Sequence, residues 1–308
     1  MSKFTRRNFL TAATASAFTV ACNRSPRPQN FSKIATRVVA LEWVYAENLL
    51  ALGMQPVGVA DIRGYQKYVN VQPSLADSVV DVGTRQEPSL EAIAQLKPDL
   101  ILGVELRHQT IYDTLSAIAP TLLFNPYPSA GELSQLDEMQ QTFRQIAERV
   151  NRQDVAETVI QQTQTTIQKA ATRIQNTEKL DFVLAQFSEN TPQMRLFTDN
   201  SMAAQILTAI GLNNTWKGKF DRFGFNTVWV EALPKVENAN FIYIPAPNST
   251  YQQQLQNNPV WKGLEFVQQK RLYAIAPDTW LFGGHLSAQI LIEKIIKSLT
   301  DTLRVPLR

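Results

Sequence analysis

A long helical stretch near the middle of the chain constrains the fold more than any other feature. Residues 153–176 contain neither glycine nor proline, and their apolar or small side chains recur at steps of three and four. About 24 residues at about 1.5 Å each predict a rod of roughly 36 Å. The positions of the stripe are Val155, Ala156, Val159, Ile160, Thr163, Ile167, Ala170, Ala171 and Ile174. Such a rod indicates either a strut between two halves or an ordinary long helix packed on one domain.

Short β-rich runs alternate with helical patterns on both sides of this helix. The predicted strands lie at 38–41, 56–60, 79–82, 100–102 and 121–124 before it, and at 182–187, 241–244 and 272–275 after it. Alternation at this spacing is typical of βα units. We therefore predict an α/β protein of two lobes with mainly parallel central sheets, joined by one long helix.

The same patterns predict the domain organisation. We expect a twin-arginine-type signal peptide at 1–21, a tether at 22–35, an N-terminal lobe at 36–152, the linking helix at 153–176 and a C-terminal lobe at 177–308. Cores of about 120 residues each are large enough to be stable on their own.

The two predicted lobes echo each other in sequence. Two segments have similar sequences when one residue is inserted before the strand: SLEAIAQLKPDLIL at 89–102 and WVEALPKVENANFI at 229–242. Each run predicts a short helix followed by a strand, with Glu91 and Glu231 at the third position. The echo favours structurally equivalent units, although unrelated helix–strand units also share such patterns.

The start of the chain resembles an export signal. TRRNFL at 5–10 is similar to the paired-arginine motif of twin-arginine signals, and the apolar run at 11–21 is too short to span a membrane. Cys22, the only cysteine, follows that run directly, as the lipidated residue of a bacterial lipoprotein does. We expect a periplasmic protein with a lipid anchor on Cys22. The alternative is cleavage after Ala17 and a free periplasmic protein.

The charge balance argues against a nucleic-acid partner. Of the 30 basic residues, Lys3, Arg6 and Arg7 lie in the predicted signal, so the rest of the chain carries 27 basic and 27 acidic residues. No block rich in lysine and arginine remains to bind a phosphate backbone.

Motifs for catalysis or direct metal binding are missing from the sequence. The histidines are only His108 and His285, and there is no HExxH, GxSxG, P-loop or GxGxxG motif. A transition metal usually takes three or more His, Cys or carboxylate ligands, so we predict no directly bound metal. Glu91 and Glu231 are also disfavoured as an acid–base pair, because equivalent helices of separate lobes hold them far apart.

Candidate ligand-binding side chains lie directly after predicted strands, where open α/β sheets form ligand crevices, and in the run 216–225, which is dense in aromatic and basic side chains. Tyr65 and Tyr68 are expected in a long loop after the strand at 56–60. The full set of candidates is Tyr65, Arg85, Arg107, His108, Trp216, Arg222, Phe223 and Trp280. Arginine offers forked donors to carboxylate or hydroxamate oxygens, and aromatic faces cover flat apolar ligand surface. For each residue the alternative is a surface salt bridge or packing at a lobe edge.

Several of these runs resemble one known family. VGTRQEPSLE at 82–91, LKPDLI at 96–101, NPVW at 258–261 and LFGGHLSA at 281–288 are similar to the substrate-binding proteins of ABC importers for ferric siderophores. The resemblance covers nearly all of residues 36–300 and is closest to the ferric-hydroxamate binders. It implies two α/β lobes joined by a single long helix, with the ligand in a shallow cleft between them.

The resemblance also implies roles for individual residues. Arg85 matches the arginine that contacts the iron-chelating oxygens, and Phe223 and Trp280 match aromatic residues on opposite rims of the cleft. Arg107 stands where the hydroxamate binders present a tyrosine. This departure favours a ligand with free carboxylates, such as a citrate-based siderophore or ferric citrate.

The family's partner is the two-fold permease of an ABC importer with its ATPase, and Glu91 and Glu231 match the acidic residues that dock onto it. We therefore expect a monomeric, non-enzymatic binding protein without a cofactor, whose ligand is chelated Fe(III). The alternatives are a haem or cobalamin binder of the same class, a periplasmic enzyme acting on a small anion, and a sensor subunit. A single stiff helix between the lobes also predicts small lobe motions on binding.

Overall fold

The computed structural model describes residues 33–174 and 180–303, with side chains up to residue 299. The predicted signal peptide at 1–21 and the predicted lipidation site Cys22 lie outside the described residues. Within the described ranges, no helix combines the length and the apolarity that a membrane crossing requires.

The first sheet consists of five short parallel strands in the order β3-β2-β1-β4-β5. The strands are β1 (Val38–Ala40), β2 (Gly58–Val59), β3 (Val80–Asp81), β4 (Leu100–Val104) and β5 (Thr121–Phe124). The helices are α1 (Trp43–Ala51), α2 (Ile62–Tyr68), α3 (Leu90–Gln95), α4 (Glu105–His108), α5 (Tyr112–Ile118) and α6 (Gln135–Arg149), with a 3-10 turn at Gln109–Ile111. In β1, Val38 and Ala40 join one apolar cluster and Val39 joins another. Both faces of this first lobe's sheet are therefore covered, as parallel sheets require.

The second sheet is mixed, with the order β11-β10-β6-β7-β9 and with β8 beside β6. Its strands are β6 (Asp181–Phe187), β7 (Met194–Phe197), β8 (Asn213–Asn214), β9 (Phe225–Val228), β10 (Asn240–Ile244) and β11 (Leu272–Ala274). The helices are α8 (Met202–Ala209), α9 (Thr250–Leu255), α10 (Pro259–Gly263), α11 (Glu265–Gln268) and α12 (His285–Leu303), with a 3-10 helix at Val230–Val236. β8, β10 and β11 belong to the parallel part, whereas β7 runs antiparallel to both β6 and β9. The sequence pattern missed β7, β8 and β9.

The long helix α7 (Gln153–Ile174) covers all described residues of the predicted linking helix, and its 22 residues make a rod of roughly 33 Å. Ala156 and Ile160 pack into the core of the first lobe, while Ala170 and Ile174 pack into the core of the second. Since β1–β5 share one sheet and β6–β11 the other, the chain passes between the sheets only once within the described ranges. The predicted two-lobed α/β fold is confirmed, and the exact lobe boundaries stay a prediction.

A second connection between the lobes is not covalent. Glu47 of α1 is fully buried, and its carboxylate accepts hydrogen bonds from the backbone N–H groups of Gly284 (2.9 Å) and Ser287 (2.8 Å) and from the Ser287 hydroxyl (2.7 Å). Burial raises the pKa of Glu47, although these hydrogen bonds oppose the shift. Leu286 and Ile290 of α12 also pack against the first-lobe core. We call the hydrogen bonds between Glu47, Gly284 and Ser287 the Glu47 clasp.

The two echoed segments occupy matching places in the two sheets. α3 leads into β4, a parallel neighbour of β1, and the 3-10 helix Val230–Val236 leads into β10, a parallel neighbour of β6. The second helix contains Pro234, whose missing N–H disfavours a regular α-helix. Glu91 and Glu231 are both exposed.

Candidate functional site

A cavity of about 500 Å³ lies between the two lobes. Trp43, Tyr68 and Arg85 line it from the first lobe, and Trp280 from the segment after β11. The opposite wall comes from the β6–β7 hairpin and from β9, with Gln186, Glu189, Met194, Arg195 and Thr227 among its residues. The volume is in the range of small-molecule binding sites.

Arg85 is the central cation of this cavity. It follows β3, while Glu42 and Trp43 follow β1, and the carboxyl ends of these parallel strands, with β2 between them, lie at one edge of the sheet and bring the three together. The Arg85 guanidinium lies 3.6 Å from the centre of the Trp43 ring, and its Nη1 donates a 2.8 Å hydrogen bond to Glu42 Oε1. Its Nε is buried 3.9 Å from Asp61 Oδ2, and its Nη2 has no hydrogen-bond partner among the described residues. Stacking and ion pairing therefore fix the guanidinium, while donor capacity remains for a ligand.

His108 supports Arg85 from behind rather than lining the cavity. Its ring is fully buried, and Nδ1 accepts a 2.9 Å hydrogen bond from the Val104 backbone N–H. Nε2 must then carry the proton and donate to the Arg85 carbonyl oxygen, which lies 2.9 Å away. Burial lowers the pKa of His108 and favours this neutral form. His108 thus positions the backbone of Arg85.

Arg107 does not line the cavity either. Its Nη1 donates to Glu42 Oε2, so the buried Glu42 carboxylate bridges Arg85 and Arg107. Tyr127 belongs to the same cluster, where burial and the Glu42 charge raise its pKa to about 12. Arg107, predicted to bind free ligand carboxylates, is instead paired with a carboxylate of the protein.

Aromatic rings form the first-lobe wall. The Trp43 ring centre lies 5.0 Å from that of Trp280 and 6.1 Å from that of Tyr68. Tyr65, predicted in a loop, lies on α2, is buried and contacts Trp43 edge-on. The loop prediction was wrong because Asp61 caps a helix within this segment, accepting a hydrogen bond from the Gly64 N–H.

The β6–β7 hairpin supplies polar groups that sequence reasoning missed. The Arg195 guanidinium lies 4.5 Å from the centre of the Phe225 ring, and its Nη1 donates a 3.0 Å hydrogen bond to Gln186 Oε1. A signal was present, because SENTPQ at 188–193 is rich in turn residues and separates two β-rich runs.

The remaining predicted residues lie outside the cavity wall. Trp216 is buried in a second-lobe core cluster, and its Nε1 donates to Asn226 Oδ1. Arg222 is exposed. Phe223 packs across the lobe interface on Tyr127, with ring centres 5.1 Å apart. Of the eight candidates, therefore, Arg85 and Trp280 line the cavity and Phe223 contacts the other lobe beside it.

Two polar contacts join the lobes near the cavity. Lys67 Nζ lies 3.0 Å from a carboxylate oxygen of Glu189, and Asn70 donates to Asp278 at 2.6 Å. Within the described ranges, no group of three or more His, Cys, Asp or Glu residues could hold a metal ion. What the cavity offers a ligand is an aromatic wall, a fixed arginine and polar groups on the facing hairpin.

Comparisons with known proteins agree with this architecture. A family model described as "Periplasmic binding protein" matches residues 38–279. The iron(3+)-hydroxamate-binding protein FhuD of Escherichia coli (strain K12) is 32% identical over 256 residues, covering 82% of this chain and 83% of that protein. The Fe(3+)-citrate-binding protein YfmC of Bacillus subtilis (strain 168) is 29% identical over 263 residues, covering 85% and 80%.

A solved structure shares the fold as well. The siderophore-binding protein FhuD from Vibrio cholerae, bound to Fe3+-Desferal, superposes with a TM-score of 0.78 at 29% identity, covering 86% of this chain and 97% of that one. The chain therefore belongs to the periplasmic binding protein family, a family of non-enzymatic substrate-binding proteins that includes the siderophore- and ferric-citrate-binding proteins of ABC importers.

Proposed function

We propose that this protein binds a ferric siderophore in the cavity between its lobes and delivers it to an ABC importer. The observation that carries the proposal is the fixed Arg85 beside the Trp43 and Trp280 rings, inside a cavity of about 500 Å³. A guanidinium donates to chelating oxygens, and aromatic rings cover the organic surface of a chelate. The relatives named for iron(3+) hydroxamate and Fe(3+) citrate support the same ligand class.

Tryptophan fluorescence tests this proposal directly, because Trp43 and Trp280 line the cavity. We expect ferric hydroxamate, citrate or catecholate chelates to quench the emission of the purified protein, whereas the iron-free chelators do not. Haem and cobalamin belong in the same panel, read by absorbance. Quenching by none of the ferric chelates would exclude the proposal, and binding of haem or cobalamin alone would identify another ligand class.

Replacing Arg85 by alanine tests whether its guanidinium binds the ligand. Loss of charge-assisted hydrogen bonds predicts a rise in Kd of roughly 10- to 100-fold. Arg144→Ala is the matched control, because Arg144 forms an exposed ion pair with Glu157 on the linking-helix side. Equal Kd values for the two variants would show that Arg85 does not bind the ligand.

We further propose that Glu91 and Glu231 dock the loaded protein onto the two halves of a dimeric permease. Both carboxylates are exposed and belong to equivalent helix–strand units of the two sheets. Glu91→Arg and Glu231→Arg should each lower uptake of the radiolabelled ferric chelate in cells while leaving its Kd unchanged. Glu148→Arg, at an exposed position of α6, is the control. Unchanged uptake in the Glu91→Arg, Glu231→Arg double variant would contradict the docking role.

We also propose that residues 1–21 are a twin-arginine export signal and that Cys22 carries a lipid anchor. Replacement of Arg6 and Arg7 by lysine should retain the precursor in the cytoplasm. Cys22→Ser should move the mature protein from the membrane fraction to the soluble periplasmic fraction. A Cys22→Ser protein that stays with the membrane would show that another feature tethers it.

A further inference from the structure

We propose that Glu42 sets the charge of the ligand that this cavity accepts, by cancelling Arg107 and so selecting a ferric chelate with little or no net negative charge. The inference rests on the proposed function and narrows it. A neutral ferric trihydroxamate meets the condition, because three hydroxamates balance the charge of Fe(III). A ferric dicitrate complex, which is a polyanion, does not.

The contacts of Glu42 carry the first step. Its side chain is 4% exposed, and it occupies the N-cap position of α1, two residues after the end of β1. Oε1 accepts from the Trp43 backbone N–H at 3.1 Å and from Arg85 Nη1 at 2.8 Å, while Oε2 accepts from Arg107 Nη1. One buried carboxylate therefore serves both arginines, and a ligand carboxylate finds no unpaired arginine at position 107.

The charge around the cavity carries the second step. The charged side chains that line it, or that pair with its lining residues directly or through Glu42, are Lys67, Arg85, Arg107, Arg195, Glu42, Asp61 and Glu189. Four positive and three negative charges leave a net charge of +1. Lys67 pairs with Glu189, and Arg85 has Asp61 Oδ2 at 3.9 Å in addition to Glu42. A polyanionic chelate would thus enter a site with little compensating charge, which is unfavourable where water is partly excluded.

The free donor capacity of the site fits a neutral chelate. Arg85 lines the cavity, and of its guanidinium nitrogens only Nη1 has a hydrogen-bond partner among the described residues, so Nη2 can donate to a ligand. A hydroxamate oxygen bound to iron accepts a hydrogen bond without adding net charge to the complex. Arg107, by contrast, does not line the cavity. The pair of Glu42 and Arg107 is together as neutral as the tyrosine that the resemblance predicts at position 107.

A charge cycle tests the proposal on the mature protein. Kd values for ferrichrome, a neutral trihydroxamate, and for ferric dicitrate are measured by tryptophan quenching for the wild type, Glu42→Gln, Arg107→Gln and the double variant. We expect the wild type to bind ferrichrome at least about 10-fold more tightly than ferric dicitrate. One unit charge within about 8 Å, partly screened, should change the ratio of the two Kd values about 5- to 10-fold.

The variants should move this ratio in opposite directions. Glu42→Gln should shift it toward ferric dicitrate, Arg107→Gln should shift it further toward ferrichrome, and the double variant should return to within about threefold of the wild type. If Glu42 and Arg107 had only a structural role, their replacement would raise the Kd values of both ligands by the same factor and leave the ratio unchanged. The double variant retains the charge balance, so it provides a test even if Glu42→Gln alone fails to fold with two buried guanidinium groups.

The outcomes separate the inference from the proposed function. A wild type that prefers ferric dicitrate, or a ratio that stays constant across all folded variants, would overturn the role of Glu42 and leave siderophore binding intact. Quenching of the wild type by no ferric chelate would overturn the proposed function, and the inference with it.

Discussion

The two walls of the cavity are built by different means, although the two lobes echo each other in sequence. In the first lobe, Trp43 and Arg85 follow parallel strands whose ends meet at one edge of the sheet. In the second lobe, Gln186 and Arg195 lie on an antiparallel hairpin. The equivalent units are instead those that carry Glu91 and Glu231. Equivalence between the lobes therefore concerns the surface proposed for docking, whereas the ligand walls are free to differ.

The largest expected effect concerns how firmly the two lobes are joined. Glu47→Ala would leave two backbone N–H groups and one hydroxyl without their buried acceptor, which should lower the free energy of unfolding by about 3 kcal/mol. The corresponding fall in Tm is roughly 6–12 °C, measured by calorimetry. The exposed Glu157→Ala serves as control. A Glu47→Ala protein that melts within about 1 °C of the wild type would show that the clasp adds little to the join.

A smaller change in the free energy of unfolding is expected at α6, which lies between the first-lobe core and α8 of the second lobe. Burial, with a contribution from Glu105, raises the pKa of Glu138 to about 7, while its hydrogen bond from Thr142 opposes the shift. The ionised form is therefore disfavoured in the folded protein, and stability falls as pH rises from about 4.5 to about 7.

Glu138→Gln should remove this pH dependence. We expect the variant to gain on the order of 2 kcal/mol in the free energy of unfolding at pH 8 and almost nothing at pH 4, in urea titrations at both values. Asp137→Gln, at a neighbouring exposed position, controls for loss of a carboxylate from the same helix. An equal gain at both pH values would contradict the assigned pKa shift.

The two walls of the cavity should also contribute unequally to the free energy of ligand binding. Arg195 is exposed and has neutral partners, whereas Arg85 is stacked, ion-paired and mostly buried. Arg195→Ala should raise the Kd of the ferric chelate about 3- to 10-fold, less than Arg85→Ala does, in the same quenching titration. Equal losses from the two variants would mean that the hairpin binds the ligand as strongly as the strand ends.

The smallest effect is a change of shape. α7 packs into both lobe cores, and the Glu47 clasp joins the middle of α1 to the N-terminal end of α12, so the lobes have little freedom to rotate. Small-angle scattering with and without saturating ferric chelate should show a radius of gyration that changes by less than about 1 Å. A larger compaction would indicate closure about a hinge that these contacts do not allow.

The sequence predicted most of the fold because its strands are short apolar runs separated by turns and amphipathic helices. It could not find β8, which has only two residues, Asn213–Asn214, both polar. For the site, position after a strand identified Arg85 and Trp280. The same rule also selected His108, and the aromatic and basic run at 216–225 suggested Trp216. Both side chains are buried, and residue type does not reveal whether a side chain faces a cavity or a core.

Glu42 shows the complementary limit of sequence reasoning. It lies two residues after the end of β1, but it stands next to a predicted helix. Nothing in the local sequence indicates its two partners, which lie 43 and 65 residues away in the chain. Only the register of the parallel strands brings these three side chains together. Arg107 consequently appeared available to a ligand, when its charge was already balanced within the protein.

The Glu47 clasp has a consequence for how empty and loaded molecules would dock in the proposed transport role. A carrier whose outline barely alters on loading presents nearly the same docking face whether it is empty or full. In the proposed role, empty and loaded molecules should then compete for the same docking site, and an excess of empty protein should slow import of the chelate. Under the proposed function, the number of these molecules per permease should therefore influence the rate of import.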